Sequence, residues 1–283
     1  MIINEFINKT DFYYTDKYQS SNLEEYYTYI VSTLKKIFSE EDIPYEVNFG
    51  IDNLKKNINL DFQYEHTIIK KNNTFEYSIY RYDYLNSVDC VFEYSSNNLR
   101  FQSTFNELSD YVRKVIYVPP LIYDDNVILN TNSRINDVIT IHNFSKRRSD
   151  FYNNFKHENI SNVFDKKSIR EILNNYKILL NIHQIDEHLS FEEIRVLPAL
   201  STGILVISED VPFKEEIPYH EHIVWCSYEN MKKTTEDVLN NYEYYRQKKL
   251  TGLSDTIKNI KENSHKKIKS FFKNYDTFYN SAV

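Results

Sequence analysis

The feature that most constrains the fold is a pair of short apolar runs flanking a helix-like segment. The runs occupy residues 178–182 and 204–207, and the segment between them, residues 191–201, opens with an acidic pair. Apolar runs of this length, bounded by polar turn residues, are typical of buried strands in a parallel sheet. With Gly203 at the turn from helix to strand, the order predicts one βαβ unit.

Polar residues follow both predicted strands. His183 and Gln184 come directly after the first strand, and Ser208, Glu209 and Asp210 come after the second. In open parallel sheets, ligands bind beyond the carboxyl ends of the strands, where loops and helix N-termini converge. We therefore expect the active site at this edge of the sheet.

The predicted elements divide the chain at the proline pair 119–120, because proline removes a ladder donor and fixes φ. Before the prolines, a helix is predicted at residues 23–38, with Asn22 as its N-cap, and strands at 45–49, 59–69, 75–82, 88–94 and 114–118. After a turn-rich linker at 124–132, the second half has further strands at 137–142, 161–164 and 223–226, and helices at 149–155, 166–176, 230–245 and 253–279, the last with a break near 263–264. We predict two α/β domains, residues 1–118 and 119–283, the second with a parallel sheet and a terminal helix.

Composition excludes several classes of function. The 283 residues carry a net charge of −7, which disfavours general nucleic-acid binding. Only three glycines are present, so neither a Walker-type nor a GxGxxG phosphate loop is expected. Cys90 and Cys226 lie far apart and form neither a metal motif nor a disulfide framework, so we expect buried thiols. The heavy use of Tyr, Asn, Ile and Lys indicates codon bias from an AT-rich genome.

The sequence predicts a soluble, cytoplasmic protein. The start of the chain lacks the basic residues and the apolar core of a signal peptide. No apolar run approaches the roughly 18 residues that a membrane-spanning helix needs. The Tyr-rich segment 1–20 is expected to be an arm or a short strand-loop, and an arm there would serve an oligomer.

Two segments of the second half resemble a known family. Residues 137–148, DVITIHNFSKRR, resemble the DVLFxGxxxxRR opening of the donor-binding half of CgeB-like and family-4-like glycosyltransferases. LNIH at 180–183, with RVLPALSTG at 195–203 and ILVISE at 204–209, is similar to their LNxH…RxFEAxACGxxLISD segment. The resemblance covers about residues 115–230. It implies the GT-B fold, with two Rossmann-like α/β domains.

The resemblance also implies a metal-independent glycosyltransferase that uses a nucleotide-diphosphate-sugar and a glycan or protein acceptor. Such an enzyme stabilises the leaving diphosphate with helix N-termini and cationic side chains, and needs no further cofactor. The catalytic candidates are His66, His183 and Glu192. The donor-binding candidates are Lys146, Arg147, Arg148, Glu193, Arg195, Ser208 and Glu209. Pro198 stands where the family often has an acidic residue for the ribose, which indicates a divergent branch.

Each candidate has a structural alternative. Ser190 is a plausible N-cap for the helix at residue 191, and Glu193 would complete its capping box. Arg195 would pair with Glu192 at i,i+3 spacing. The basic run at 146–148 would be a solvated turn. His66 would belong to an exposed strand pair.

Two other functions stay open from the sequence. The first is a non-catalytic relative that keeps the fold and binds a sugar or nucleotide, which the proline at position 198 favours. The second is a nucleic-acid-modifying transferase, for which the Lys-rich terminal helix would supply a basic groove. No metal site is expected, because Asp124-Asp125 is a turn and His220 and His222 are a poor ligand pair.

Overall fold

The computed structural model describes residues 2–7, 10–15, 23–41, 43, 45–50, 58–72, 74–122, 134–153, 155–160 and 166–275. These residues form two sheets, one in each half of the chain, and a small hairpin. The predicted N-cap Asn22, the linker 124–132 and the predicted strand at 161–164 lie outside the described residues.

The first half contains a six-stranded sheet in the order β1-β2-β3-β4-β7-β8. Its strands and those of the hairpin are β1 (Ile2–Ile7), β2 (Thr10–Thr15), β3 (Val47–Phe49), β4 (Ile58–Gln63), β5 (Ile68–Lys71), β6 (Thr74–Tyr77), β7 (Cys90–Glu93) and β8 (Val115–Tyr117). Its helices are α1 (Glu24–Glu40), α2 (Tyr82–Ser87), α3 (Ser96–Gln102) and α4 (Ser109–Arg113). Among the described strands of the six-stranded sheet, only the β1–β2 pair is antiparallel; β2, β3, β4, β7 and β8 are parallel.

An aromatic core joins α1 to this sheet. Tyr27 of α1 stacks on Phe49 of β3 with ring centroids 5.1 Å apart, and Tyr26 meets Phe62 of β4 edge to face at 5.7 Å. All four side chains are at most 2% exposed. The helical spacing of apolar residues in the sequence therefore does place one face of α1 in the core.

The single strand predicted at 59–69 is wrong. Strand β4 ends at Gln63, and the chain resumes extended structure only at Ile68, in the separate hairpin β5–β6. Residues 64–67 between them turn away from the sheet, and they carry His66 out of the ladder. The interruption places His66 beside the second half.

The second half is a five-stranded, wholly parallel sheet in the order β10-β9-β11-β12-β13. Its strands are β9 (Asn136–Ile141), β10 (Glu158–Ile160), β11 (Tyr176–Asn181), β12 (Leu205–Glu209) and β13 (Ile223–Cys226). Its helices are α5 (Lys146–Tyr152), α6 (Lys166–Leu173), α7 (Glu193–Ser201), α8 (Met231–Asn240), α9 (Tyr242–Leu250) and α10 (Leu253–Lys273). The predicted βαβ unit is confirmed as β11–α7–β12.

Two helix predictions at the C-terminal end are wrong in detail. The long helix expected at 230–245 is two helices, α8 and α9, separated at Asn241. The terminal helix has no break near 263–264, because Ser264 is buried and its hydroxyl donates to the Tyr117 carbonyl at 3.3 Å. Helix α10 therefore packs as one unit, with Ile257 and Ile260 in the core of the second half and Ile268 and Phe272 in that of the first.

The hairpin ties the two halves together. In an antiparallel bridge between Ile69 and His188, the Lys70 N–H donates to the Glu187 carbonyl at 2.8 Å. The Ser190 hydroxyl accepts from the N–H groups of Thr67 and Ile68 at 2.7 and 2.9 Å. The loop between β11 and α7 thus continues the hairpin as a third strand-like segment, and it brings His66 next to the start of α7.

None of the helices among the described residues is long and apolar enough to cross a membrane.

Candidate donor site at the edge of the second sheet

The topology of the second sheet creates a switch point between β9 and β11. The chain leaves β9 toward β10 on one side and later enters β11 on the other side. Loops on either side of a switch point diverge and leave a crevice at the carboxyl ends of the strands. Helix α5 begins after β9 at this crevice, and the loop carrying His183 follows β11. The predicted edge of the sheet is therefore the one at which the candidate residues converge.

Arg147 and Glu209 form a two-pronged ion pair at this edge. Arg147 Nη1 donates to Glu209 Oε2 at 2.9 Å, and Nη2 donates to Oε1 at 2.5 Å. The remaining Arg147 nitrogen, Nε, contacts Asp186, and the guanidinium lies 3.9 Å from the centre of the Tyr228 ring. These contacts hold the planar guanidinium of Arg147 in one orientation.

An open cleft of about 420 Å³ lies against the Arg147 side chain. Its lining residues are Lys146, Arg147, Asp150, Gln184, Ile185, Asp186, Glu187 and Tyr228. Three of them are carboxylates and two are cations, so the cleft is more acidic than basic. We name it the outer cleft.

Behind the outer cleft, Glu192 stands at the N-terminal end of α7 with 7% exposure. One of its oxygens contacts Arg195 Nη2, and the other lies 3.4 Å from Arg148 Nη2. Although burial alone would raise the pKa of this carboxyl, Arg195 and Arg148, together with His66 and His183 once acid has protonated them, outweigh it and lower the pKa to about 2. Glu192 is therefore ionised, and the i,i+3 pair expected as its structural alternative is present.

Arg148 is held by backbone oxygens. Its Nε and Nη2 donate to the Ile182 carbonyl at 3.0 and 2.7 Å, and Nη1 donates to the Asn143 carbonyl at 3.1 Å. Burial lowers its pKa to about 10, so it remains charged at neutral pH. These contacts fix the ends of β9 and β11 relative to each other and aim the guanidinium at Glu192.

Three histidines, His66, His183 and His188, lie near Arg148, Glu192 and Arg195. We name these six residues the inner cluster. His66 Nε2 lies 3.8 Å from Glu192 Oε1, and its ring centre is 4.7 Å from that of His188. Burial lowers the pKa of His66 to about 4 and that of His183 and His188 below the usual range. All three imidazoles are neutral at pH 7.

Several nitrogen atoms of the inner cluster make no hydrogen bond within the described residues. They are both ring nitrogens of His183, Nδ1 of His66 and of His188, and Nε of Arg195. The His183 side chain is only 2% exposed. Because buried polar groups are nearly always hydrogen-bonded, these nitrogen atoms can take polar atoms of a ligand or of water as partners.

The two parts of the site are connected through His183. Its backbone N–H donates to Glu209 Oε2 at 3.1 Å, and its backbone carbonyl accepts from Arg147 Nη1 at 3.3 Å. Arg195 donates to Asn181 at the end of β11 at 3.2 Å. The inner cluster and the outer cleft thus form one continuous candidate site.

Two of the predicted residues lie away from this site. Glu193 is fully buried and accepts from the Ser96 hydroxyl at 2.7 Å and from the Tyr117 and Tyr219 hydroxyls at 2.6 and 3.0 Å. Burial raises its pKa. Ser208 is fully buried and hydrogen-bonded to Asn181 at 3.1 Å.

The capping box predicted from Ser190 and Glu193 is wrong. Helix α7 begins at Glu193 and has no side-chain cap, because the Ser190 hydroxyl accepts from the hairpin backbone instead. Lys146, by contrast, lines the outer cleft as an exposed residue.

The candidates taken from the sequence do not include His188, Tyr228 or Asn181. Asn181 is the last residue of β11, so its strand-end position was a usable signal. Tyr228 follows β13 by two residues and has the same signal, hidden among 25 tyrosines. Among the described residues, no three His, Cys, Asp or Glu side chains stand close enough together to hold a metal ion.

Comparison with known proteins supports the fold. The chain is similar to TarM, a glycosyltransferase of the GT-B fold, with a TM-score of 0.53 and 10% identity over 80% of this chain and 54% of TarM. It is also similar to the structure of accessory secretory proteins 1, 2 and 3 of Streptococcus pneumoniae, with a TM-score of 0.45, 9% identity, and 88% and 58% coverage. The similarity to TarM confirms the GT-B-like α/β fold.

At the level of sequence, the chain is 29% identical over 183 residues to an uncharacterized protein of Acanthamoeba polyphaga mimivirus. The match covers 61% of this chain and 61% of the viral protein. The chain thus spans between 54% and 61% of the length of each of these three proteins. No model of a known protein family matches the sequence.

Proposed function

We propose that this chain is a glycosyltransferase of a divergent, CgeB-like or family-4-like branch that moves a sugar from a nucleotide-diphosphate-sugar to an acceptor without a metal ion. Residues 119–283 would bind the donor and residues 1–118 the acceptor. The inner cluster is the observation that carries the proposal, because it combines the buried guanidinium of Arg148 and the 12% exposed side chain of Arg195 with nitrogen atoms that the described residues leave without hydrogen bonds. It lies at a sheet edge where nucleotides bind in related folds.

The charge of the inner cluster suits a diphosphate. Arg148 and Arg195 carry two positive charges and Glu192 one negative charge, while the three histidines are neutral, so the net charge is +1. Phosphate oxygens would accept from Arg195 Nε and from the one ring N–H of the neutral His183. Such donors, fixed before the reaction, stabilise the negative charge that develops on the leaving diphosphate.

The outer cleft suits the nucleoside. Because its carboxylates outnumber its cations, it favours a neutral group rich in hydroxyls over a phosphate. Asp186 and Glu209 would accept from ribose hydroxyls, and the stacked Arg147–Tyr228 pair would offer a flat face to the base. This division would place the diphosphate inside, next to His183, and the nucleoside outside. Lys146 would cover the rim.

His66 is the candidate general base from the acceptor half. Its neutral imidazole can accept the proton of an acceptor hydroxyl, and Glu192 at 3.8 Å would stabilise the imidazolium that forms. This role applies to an inverting reaction. A retaining transferase would use His66 only to position the acceptor.

Two observations favour a non-catalytic sugar- or nucleotide-binding protein as the second candidate. Pro198 occupies the position of the family acid, and the halves are fixed to each other by buried hydrogen bonds such as those of Ser190 and Glu193. Such contacts oppose the domain closure on which many transferases depend.

Isothermal titration with UDP-, GDP-, TDP- and ADP-sugars tests the donor site. We expect one nucleotide class to bind and Arg195→Gln to weaken binding by about tenfold or more, because a hydrogen bond from a charged donor is lost. Arg113→Gln, an exposed arginine on α4, is the control and should bind as the wild type does. Tyr228→Leu leaves the ion pairs of the inner cluster in place and should also weaken binding. Equal affinity in all four proteins, or no binding of any nucleotide, would contradict the proposal.

A further inference from the structure

His183 is the most enclosed histidine of the inner cluster. Its side chain is 2% exposed, against 21% for that of His66, and His188 is half-buried. Neither of its ring nitrogens makes a hydrogen bond within the described residues. His66, His188 and Arg195 each leave one buried nitrogen atom in this condition, so His183 has the largest unmet demand for hydrogen bonds in the inner cluster.

The position of the His183 ring is fixed through the backbone. Residue 183 lies two positions after the end of β11. Its N–H donates to Glu209 Oε2 and its carbonyl accepts from Arg147 Nη1, so both backbone groups are held by the ion pair of the outer cleft. Together with burial, these contacts leave the ring little freedom to move toward other partners.

One ring nitrogen of His183 faces a carboxylate. Nδ1 lies 3.8 Å from Glu209 Oε2. The same oxygen accepts from Arg147 Nη1 at 2.9 Å and from the His183 backbone N–H at 3.1 Å. An ionised carboxylate has only acceptor oxygens, so Glu209 can accept an N–H from Nδ1 but has no proton to give.

An anion at the other ring nitrogen, Nε2, would also offer only acceptor oxygens. A neutral imidazole has one N–H group, whereas an imidazolium has two. With Glu209 on the side of Nδ1 and an anion on the side of Nε2, a neutral ring would turn one lone pair toward an acceptor. A second proton on the ring of His183 gives each acceptor its own donor.

Charged and titratable groups face His183 from each neighbouring element. They are Glu209 at the end of β12, Arg147 and Arg148 of α5, Glu192 at the start of α7, and His66 from the first half. Burial is the main reason why the pKa of His183 is lowered, and it outweighs the two carboxylates. The ring is therefore neutral before an anion arrives, and an anion adds negative charge where the balance is close.

The net charge of the inner cluster favours the same proton. Arg148, Arg195 and Glu192 together carry a charge of +1, and one added proton raises it to +2. The diphosphate of a nucleotide-sugar carries two negative charges, as does sulfate. Charges buried together are stable only where they are matched, so a doubly charged anion stabilises the protonated ring.

We infer that the inner cluster takes up one proton, on His183, when a doubly charged anion binds. Nδ1–H then points to Glu209 and Nε2–H to the anion, and the proton comes from solvent and returns to it when the anion leaves. The uptake of the proton depends only on the inner cluster. That the anion is the diphosphate of a donor rests on the proposed function.

Calorimetric titration of the full chain with sulfate tests the inference. Sulfate has no proton of its own near neutral pH, so titrations in two buffers with different heats of protonation count the protons that the protein takes up. We expect about one proton for the wild type, and an affinity that rises by up to about tenfold for each unit by which the pH falls.

His183→Gln keeps both arginines of the site but cannot be protonated. It should bind sulfate without uptake of a proton and with little change of affinity between pH values. The matched control is His220→Gln, which replaces a half-buried histidine outside the site and should behave as the wild type does. Ring-nitrogen NMR of the wild type gives a second readout, because sulfate should convert one histidine ring to the doubly protonated form, and this signal should be missing in His183→Gln.

Three results would overturn the inference. They are no binding of sulfate, binding without uptake of a proton, and uptake that is unchanged in His183→Gln, which would assign the proton to His66 or His188. Failure here is distinct from failure of the proposed function. Binding of a nucleotide-sugar without proton uptake removes only this inference, whereas sulfate-linked uptake without binding of any nucleotide leaves the anion site and removes the donor site.

Discussion

Replacing Glu192 by glutamine tests whether the inner cluster is a buried charge network. The pKa of Glu192 is about 2 in the fold, against 4.5 for the ordinary side chain. Each pKa unit corresponds to about 1.4 kcal/mol, so the folded state favours the ionised carboxyl by about 3 kcal/mol. Removal of one member of a buried ion pair costs about 3–5 kcal/mol by a separate measure. We therefore expect Glu192→Gln to lower the free energy of unfolding by about 3 kcal/mol at pH 7.

The sign of the pH dependence follows from the lowered pKa. The stabilisation by Glu192 is fully present above pH 4.5 and is lost as the pH falls through 2, because the folded state must then be protonated. Urea unfolding of the wild type and Glu192→Gln from pH 7 down to acid should show the two curves converging. The control is Glu187→Gln, an exposed residue of the same loop, whose effect should stay within about 0.5 kcal/mol.

Two results would refute this reasoning. If Glu192→Gln lowers the free energy of unfolding by less than about 1 kcal/mol, the fold tolerates the charges of Arg148 and Arg195 without the carboxylate of Glu192. Parallel pH curves for the wild type and the variant would mean that the pKa of Glu192 is not lowered in the fold.

Three further predictions concern the same region. Inorganic phosphate should raise the melting temperature of Glu192→Gln more than that of the wild type, because both guanidiniums then lack their carboxylate; an equal shift would argue against an anion site. Ser190→Ala should cost about 2 kcal/mol in urea unfolding, since two buried N–H groups lose their acceptor, whereas the exposed Ser103→Ala should be nearly neutral. Burial raises the pKa of Glu93 to about 8, so its contribution is present below pH 4.5 and lost as the pH rises through 8; Glu93→Gln should flatten the fall in melting temperature between pH 5 and 9.

The second sheet could be predicted from the sequence because its strands are buried on both faces. Such strands appear as continuous apolar runs, and β11, β12 and β13 lie within a few residues of the predicted ones. The gathering of Arg147, His183 and Glu209 at one edge also followed from strand-end position alone. Parallel strands bring their carboxyl ends together whatever the rest of the fold does.

The contacts between the halves could not be predicted in this way. His66 meets Glu192 only because β4 stops at Gln63 and the hairpin docks on the loop before α7. For the same reason the capping box was wrong: Ser190 has the sequence context of an N-cap, but its hydroxyl accepts from hairpin N–H groups distant in sequence. Local pattern rules compare residues a few positions apart and do not include such long-range partners.

Hydrogen-bond partners also explain why Glu193 lies outside the candidate site. Glu193 and Glu192 are adjacent acids at the same helix start, and a sequence cannot tell which one faces the first half. The structure turns Glu193 toward Tyr117 and Tyr219 and leaves Glu192 to the arginines.

The most direct test of the central claim is the release of free nucleoside diphosphate from the donor that binds best, followed by ³¹P NMR with and without an added oligosaccharide as the acceptor. The account predicts slow release alone, faster release with the oligosaccharide present, and strong loss of both in Arg195→Gln. Tight binding of the intact nucleotide-sugar with no release under either condition would contradict glycosyl transfer and identify the chain as a binding protein with a GT-B-like fold.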